Sequence, residues 1–224
     1  MAIDFDGANS KLEHTTASGF DVATYTIAAW ALADNSGEGF SRIFALDELA
    51  NAAILAHFVT PANTWFFTQR FSVADGNWSF AAADGAWHAV AISYDRSSTT
   101  NDPTVRVDFA PVTVTEDATP NGTATSPTTG YCVGNQSDQI RTWDGAIAHV
   151  QFFDVILTAQ EMDQALRRPG SIRRGLVLWL PMYNSAELQD WSGSVLNGTG
   201  TALATRDSPP CQAPWSGKAG AITA

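Results

Sequence analysis

Apolar and polar positions alternate along most of the chain in short runs, cut by turn residues at roughly ten-residue intervals. Tyr25-Thr26-Ile27-Ala28-Ala29-Trp30-Ala31 is one such run. Arg42 to Leu46, Ala53 to Val59, Trp65 to Phe71, Ala86 to Tyr94, Val105 to Phe109 and Ala146 to Phe153 are others. Asp6-Gly7, Ser36-Gly37, Asp75-Gly76, Asp84-Gly85, Asn121-Gly122 and Asp144-Gly145 punctuate them. A period of two sends successive side chains to opposite faces of a strand. Many short strands with Gly and Asp turns predict an all-β sandwich or jelly roll.

One segment departs from the period of two. Thr158 and Glu161 have the spacing of a capping box, in which each side chain satisfies a free amide of the first helical turn. Met162, Ala165 and Leu166 then share a face, and Pro169-Gly170 ends the segment, which predicts a helix over 158–167. The stretch 97–130 is rich in Ser, Thr, Asn and Pro and predicts an edge hairpin, around Val105–Phe109 and Val112–Val114, within a long polar loop. Leu176 to Leu180 reads as a buried strand that adds to the same sandwich, with Trp191, Leu196 and Trp215 packing across its outside. From Thr201 the prolines 209, 210 and 214 predict an extended tail. The expected organisation is one domain: a sandwich over 1–175, and a strand and arm over 176–224 packed on it.

Composition supports a large core, with 45% hydrophobic and only 16% charged residues, eight Trp and twelve Phe. Twelve basic against 23 acidic residues give a net charge of −11. That field repels phosphate backbones and anionic bilayers, so neither nucleic acid nor membrane is an expected partner; its simplest use is solubility. No apolar stretch is long enough to span a membrane. The N-terminus has neither a basic region nor an apolar run, so no signal peptide is expected and synthesis in a cytoplasm is. Cys132 and Cys211 fit no disulfide framework or metal spacing and are expected as buried free thiols.

Four segments in order carry a resemblance. Asp4-Phe5-Asp6-Gly7, Tyr25 to Trp30, Gly85-Ala86-Trp87-His88-Ala89-Val90-Ala91-Ile92-Ser93-Tyr94-Asp95, and Asp144 to Val150 with Leu157-Thr158 to Glu161 resemble the strands of laminin-G-like, concanavalin A-like jelly rolls. The resemblance covers roughly residues 1–168. It implies an antiparallel sandwich with one short helix and an extended C-terminal arm. Arg174-Gly175-Leu176-Val177-Leu178-Trp179-Leu180-Pro181, Asp190-Trp191-Ser192-Gly193, Leu196-Asn197-Gly198-Thr199 and Asp207-Ser208-Pro209-Pro210 are similar to the ending of such domains in tailed-phage virions. That similarity implies a non-enzymatic virion protein, a capsid-surface decoration or accessory component. Its expected partners are other virion subunits, including capsid protein, further copies of itself, and host-surface glycans. The alternative is a glycan-binding adhesin module with calcium as a candidate cofactor; a polysaccharide hydrolase ranks third.

The search for chemistry favours binding. Glycosidases that this fold resembles carry Glu-x-Asp-x-Glu on one strand, which aligns three carboxylates on one face. Glu13, Glu38, Glu48, Glu116, Glu161 and Glu187 never fall in that spacing. Asp4 and Asp6 either hold a hard cation or solvate an outer face while Ile3 and Phe5 point inward. His14, His57, His88 and His149 lack ligand spacing and are expected as hydrogen-bonded structural residues. No Gly-x-Ser-x-Gly elbow exposes a nucleophile. Asn135, Asp138 and Asp144 lie on one loop and offer oxygen ligands suited to calcium, or ordinary turn chemistry. Trp65, Phe66, Phe67, Trp78 and Trp143 are candidate sugar platforms, and Trp143 beside Arg141 is the first choice. Arg167, Arg168, Arg173 and Arg174 concentrate a third of the basic residues. They suit docking to an acidic partner or, for the first pair, the C-terminal end of a helix dipole.

Overall fold

The computed structural model describes residues 1–34, 40–46, 63–136, 138–186 and 188–211, and the backbone of 54–57. Sixteen strands and one helix lie within them. The strands are β1 (Ala2–Asp6), β2 (Lys11–His14), β3 (Thr24–Ala33), β4 (Ser41–Leu46), β5 (Ile54–His57), β6 (Thr64–Gln69), β7 (Gly76–Ala81) and β8 (Trp87–Asp95). They continue as β9 (Thr104–Val107), β10 (Ala110–Pro111), β11 (Thr115–Ala118), β12 (Tyr131–Val133), β13 (Asp144–Phe153), β14 (Leu176–Leu180), β15 (Thr199–Thr201) and β16 (Ala204–Arg206). Helix α1 spans Ala159–Arg167.

Two antiparallel sheets result. The first runs β10-β9-β8-β3-β13-β1-β16, with β14 also on β13; the second runs β11-β7-β6-β5-β4-β12-β2-β15. This is the antiparallel jelly-roll sandwich that the alternation predicts. Its main core lies between the sheets, where Phe5, Tyr25, Phe44, Trp65, Phe67, Trp78, Tyr131 and Phe152 are buried. Rings there meet edge-on or stacked, as for Phe20 on Phe152 at 5.1 Å and Phe67 on Trp78 at 5.6 Å, the arrangements that ring quadrupoles favour.

A second core covers the outside of the first sheet. Ala28, Ala89, Ala91, Ala146 and Ala148 leave room there for Met162, Ala165 and Leu166 of α1. Trp30 belongs to this outer layer rather than to the space between the sheets. Its Nε1 donates to the Leu166 carbonyl, and Gln151 donates to the Ala165 carbonyl, so two buried side chains hold the last turn of α1. The predicted capping box is present: Glu161 N–H donates to Thr158 Oγ1 and Thr158 N–H donates to Glu161. Gly170, at φ +75°, stops the chain where a side chain would strike the Trp179 ring.

The 97–130 segment differs from its expected form. Its hairpin turns earlier, on Asp108 and Phe109, both at positive φ, and pairs β9 with Ala110–Pro111 rather than Val112–Val114. Asp108 sustains that turn by accepting from the Ala89 amide and bonding His88 Nδ1 at 2.7 Å. The polar stretch also contributes an edge strand, β11, on β7.

The C-terminal arm adds edges to both sheets: β15 pairs β2 and β16 pairs β1. Leu196 enters the main core, and Trp191 packs edge-on against Trp179 at 5.6 Å. Trp215 lies outside the described residues. Asp190 organises the arm. One carboxylate oxygen accepts from the Trp179 and Ser192 amides, and the other from the Leu196 amide and the Ser192 hydroxyl. Ile3 and Phe5 are buried as expected. Asp4 bonds Arg206, which also pairs with Asp34. Asp6 accepts from the Ala8, Asn9 and Ser10 amides; burial opposes its charge, but these bonds outweigh it and bring its pKa to about 2.

Midway along β13, the register with β3 shifts between Ala148 and Gln151. His149 sits in this bulge at φ +54°, buried, with Nδ1 unpartnered. Burial, and then the Met1 ammonium, push its pKa down to about 4 from 6.5. A base with a depressed folded pKa makes the unfolded chain the better proton binder. Stability is therefore full above pH 6.5 and falls as the pH drops from 6.5 towards 4, by up to about 3 kcal/mol. Urea denaturation across pH 4–7 measures this loss, and His149→Asn, which tolerates positive φ, flattens it. Asp190→Ala strands the Trp179 and Leu196 amides and lowers unfolding free energy by about 2–3 kcal/mol. An unshifted urea midpoint for that variant refutes the anchoring role.

Candidate ligand-binding face

The loop from Gly134 to Asp144 gathers five of the residues singled out from sequence, and it is a pinned structural loop. Trp143 is 1% exposed and stands edge-on to Trp65 at 5.5 Å in the main core. Its Nε1 donates to the Leu32 carbonyl, and its amide to the Gly134 carbonyl. The expected sugar platform at Trp143 is thereby corrected: the ring is the floor of the loop, buried because the residue leads directly into β13. Asn135 is fully buried as well. Its amide donates to the Ser10 carbonyl, and its oxygen accepts from the Gln136 and Arg141 amides. The Asn135 side-chain oxygen is therefore already shared by two backbone amides. Asp138 accepts from the Ile140 amide and from Gln136, while Asp144 pairs with Asp6 across β1 and β13. Among the described residues no three His, Cys, Asp or Glu side chains cluster to hold a metal. Arg141 remains near the surface, its guanidinium 4.9 Å from the centre of the exposed Phe40 ring.

The four arginines at and after the end of α1 are mostly engaged within the chain. Arg167 lies 3.7 Å over the Phe109 ring, and Arg173 lies over Trp179 and donates to the Trp191 carbonyl. Arg174 grips both oxygens of Glu161. The bonds from Thr158 and from Arg174 hold Glu161 at a pKa of about 2. Arg168 is the C-cap residue and lines a surface cleft of about 460 Å³ with Gln160, Asp163 and Gln164. Arg167 and Arg168 thus sit where a helix dipole favours cations. Both cysteines are free; Cys132 is buried, and burial pushes the Cys211 thiol up to about 11.

Strand alternation settles the remaining aromatics. On β6 and β7, Trp65, Phe67, Trp78 and Phe80 point into the main core. Thr64, Phe66 and Thr68 of β6 and Asn77 and Ser79 of β7 occupy the opposite, outer face and are half-buried. Thr68 Oγ1 donates to Asn77 Oδ1 at 2.8 Å across the two strands. The register aligns Arg42, Ala56, Phe66, Ser79 and Thr115 in one row across five strands. Arg42 is a site residue that sequence reading passes over, because it lies inside a strand-like apolar run. Its Nη1 donates to the Phe40 carbonyl at 2.6 Å, and its Nε is buried without a partner. Desolvation, and next the nearby charge of Arg141, bring its pKa down to about 10.

Two packed antiparallel sheets, one covered by a helix and the other turning, on β6 and β7, hydroxyls, an amide and one aromatic ring outward, define a lectin-like jelly roll. The chain belongs to the concanavalin A-like lectin/glucanases superfamily, whose laminin-G-type model matches residues 6–163. Its fold is similar to that of a heptameric SAP-like pentraxin from Limulus polyphemus, at 16% identity and a TM-score of 0.64, covering 91% of this chain and 94% of that one. A Bacteroides ovatus protein described as carbohydrate-binding is similar at 18% identity and a TM-score of 0.67, over 93% of this chain and 60% of the other. The CBM40 of a Ruminococcus gnavus sialidase, solved bound to α2,3-sialyllactose, shares the fold at 10% identity and a TM-score of 0.56, over 74% of this chain and 96% of that one. None of the curated proteins matches the sequence. Among the described residues no helix is long and apolar enough to cross a membrane.

Proposed function

We propose that this chain is a non-catalytic, lectin-like module that binds a saccharide across the outer face of its second sheet. The carrying observation is Phe66, an outward-facing ring set among the hydroxyls of Thr64, Thr68 and Ser79 and the amide of Asn77. A sugar ring has an apolar C–H face that packs on an aromatic plane and a rim of hydroxyls that pair with short polar side chains. Lectin-like relatives, including a sialyllactose-bound module, make the same use of the fold reasonable here. The missing Glu-x-Asp-x-Glu spacing supports binding without turnover.

A second reading is compatible with the first: the module serves as an accessory protein on a phage capsid, in contact with capsid protein and with copies of itself. It is favoured by the segment whose sequence is similar to phage-virion endings. That segment supplies an edge strand to each sheet, so the similarity extends over part of the folded unit.

A glycan array probed with and without calcium tests the first reading. Binding is expected, and Phe66→Thr, which keeps strand propensity, weakens it at least about tenfold, or about 1.4 kcal/mol. An array blank under both conditions refutes it. For the second reading, mass spectrometry of purified particles from the source phage detects this chain at a fixed copy number. Particles that lack it refute the assignment.

A further inference from the structure

Arg42 stands apart from the other cations of the chain. It is nine-tenths buried, yet among the described residues only Nη1 has a partner, the Phe40 carbonyl. Nε is buried without one, and Nη2 is bonded to none of the described residues. Leaving a buried charged donor unpaired costs about 1–3 kcal/mol or more. Nε and Nη2 together form one edge of the guanidinium plane, the edge that meets the two oxygens of a carboxylate in parallel.

Among the described residues the surroundings do not supply that carboxylate. Arg141 and Arg70 both disfavour the Arg42 charge, and Asp138 is the carboxylate that favours it. Asp138 is already engaged by the Ile140 amide and by Gln136, and Asp75 is taken by Arg70. Arg42 thus has no carboxylate partner among the described residues of a chain whose net charge is −11. It also sits on the face already described. Arg42 and Phe66 occupy the same row two strands apart, roughly 10 Å at ordinary strand spacing. One or two sugar units span that distance.

We propose that the open edge of Arg42 recognises the carboxylate of an acidic saccharide whose ring lies toward Phe66. The inference rests on the saccharide-binding reading and narrows it to carboxylate-bearing glycans. A planar carboxylate matches the planar fork and fills both vacant donors. A neutral sugar leaves the buried charge unmatched, and so binds more weakly. Because a single backbone carbonyl holds the guanidinium, a small rotation brings Nε to an entering oxygen without breaking an internal ion pair.

Isothermal titration of the full chain tests this with sialyl and glucuronyl oligosaccharides, their methyl esters and sulfated counterparts. The native protein is expected to favour each free acid over its ester at least tenfold. Arg42→Gln abolishes that preference, and Arg42→Lys retains only part of it, since an ammonium is a point charge without the fork. Phe66→Thr weakens acid and ester alike. Equal binding of acid and ester by the native protein overturns the proposal, and this comparison does not depend on any variant folding. Stronger binding of sulfated sugars overturns it too, as does an acid preference that survives Arg42→Gln. Ester binding that Phe66→Thr weakens, without acid preference, leaves the saccharide reading standing and sinks the Arg42 role alone. No binding of any of these glycans sinks the Arg42 role, and a blank glycan array beside it sinks the saccharide reading as well.

Discussion

The architecture depends on one ten-residue strand, β13, which has to satisfy its backbone on both edges while its partner on one edge changes. β3 runs along one edge. On the other, β1 covers Asp144–Ile147 and β14 covers Val150–Phe153. Buried amides and carbonyls need partners throughout, so the changeover has to happen within a residue or two. The bulge at His149 achieves it, with the His149 amide turned to the Pro181 carbonyl. The segment that follows α1 enters the sandwich at that opening: β14 pairs there, Asp190 ties the arm to Trp179, and Leu196 reaches the main core. A positive φ and an unpaired imidazole nitrogen are the local strain that this junction carries.

The two sheets then divide the labour. Small alanines on the outside of the first let α1 approach closely, and Trp30 and Gln151 fix it from below. That face is spent on stability. Among the described residues the second sheet has no such row of alanines under a helix, and its outer side chains on β6 and β7 are hydroxyls, an amide and one ring. A buried aromatic layer between the sheets makes this face a rigid platform, since Trp65, Phe67 and Trp78 lock β6 and β7 from the inside. Preorganisation of this kind lowers the ordering cost of any binding there.

Much of the fold is legible in the sequence because period and caps are local signals. Strands β3, β4, β6, β8 and β13 and helix α1 follow from alternation and from the Thr158–Glu161 pair. Strand β14 coincides with its apolar run. The hairpin turn at Asp108-Phe109 was hidden, since neither residue is the Gly or Asn that two left-handed positions usually demand. The candidate site was legible only in part. Phe66 was one of five aromatic candidates, and alternation alone could not tell which face of β6 would turn to solvent. Trp143 and Asn135 look like loop residues in sequence, yet long-range bonds to Leu32 and Ser10 draw both inside. Arg42 gave no signal, because its position across from Phe66 depends on the register of β5.

Charge balance gives Arg42 its meaning. Acidic residues outnumber basic ones by 23 to 12, so carboxylates are not scarce. Arg70, Arg96, Arg106, Arg174 and Arg206 each hold one. Arg141, Arg167 and Arg173 lie on aromatic rings. Arg42 is among the most buried of the arginines and rests on one backbone carbonyl. A buried guanidinium serves stability poorly unless paired, and an apolar side chain of similar volume would hold β4 at least as well. An arginine at that position is therefore better understood through the proposed ligand than through what it contributes to the folded chain alone.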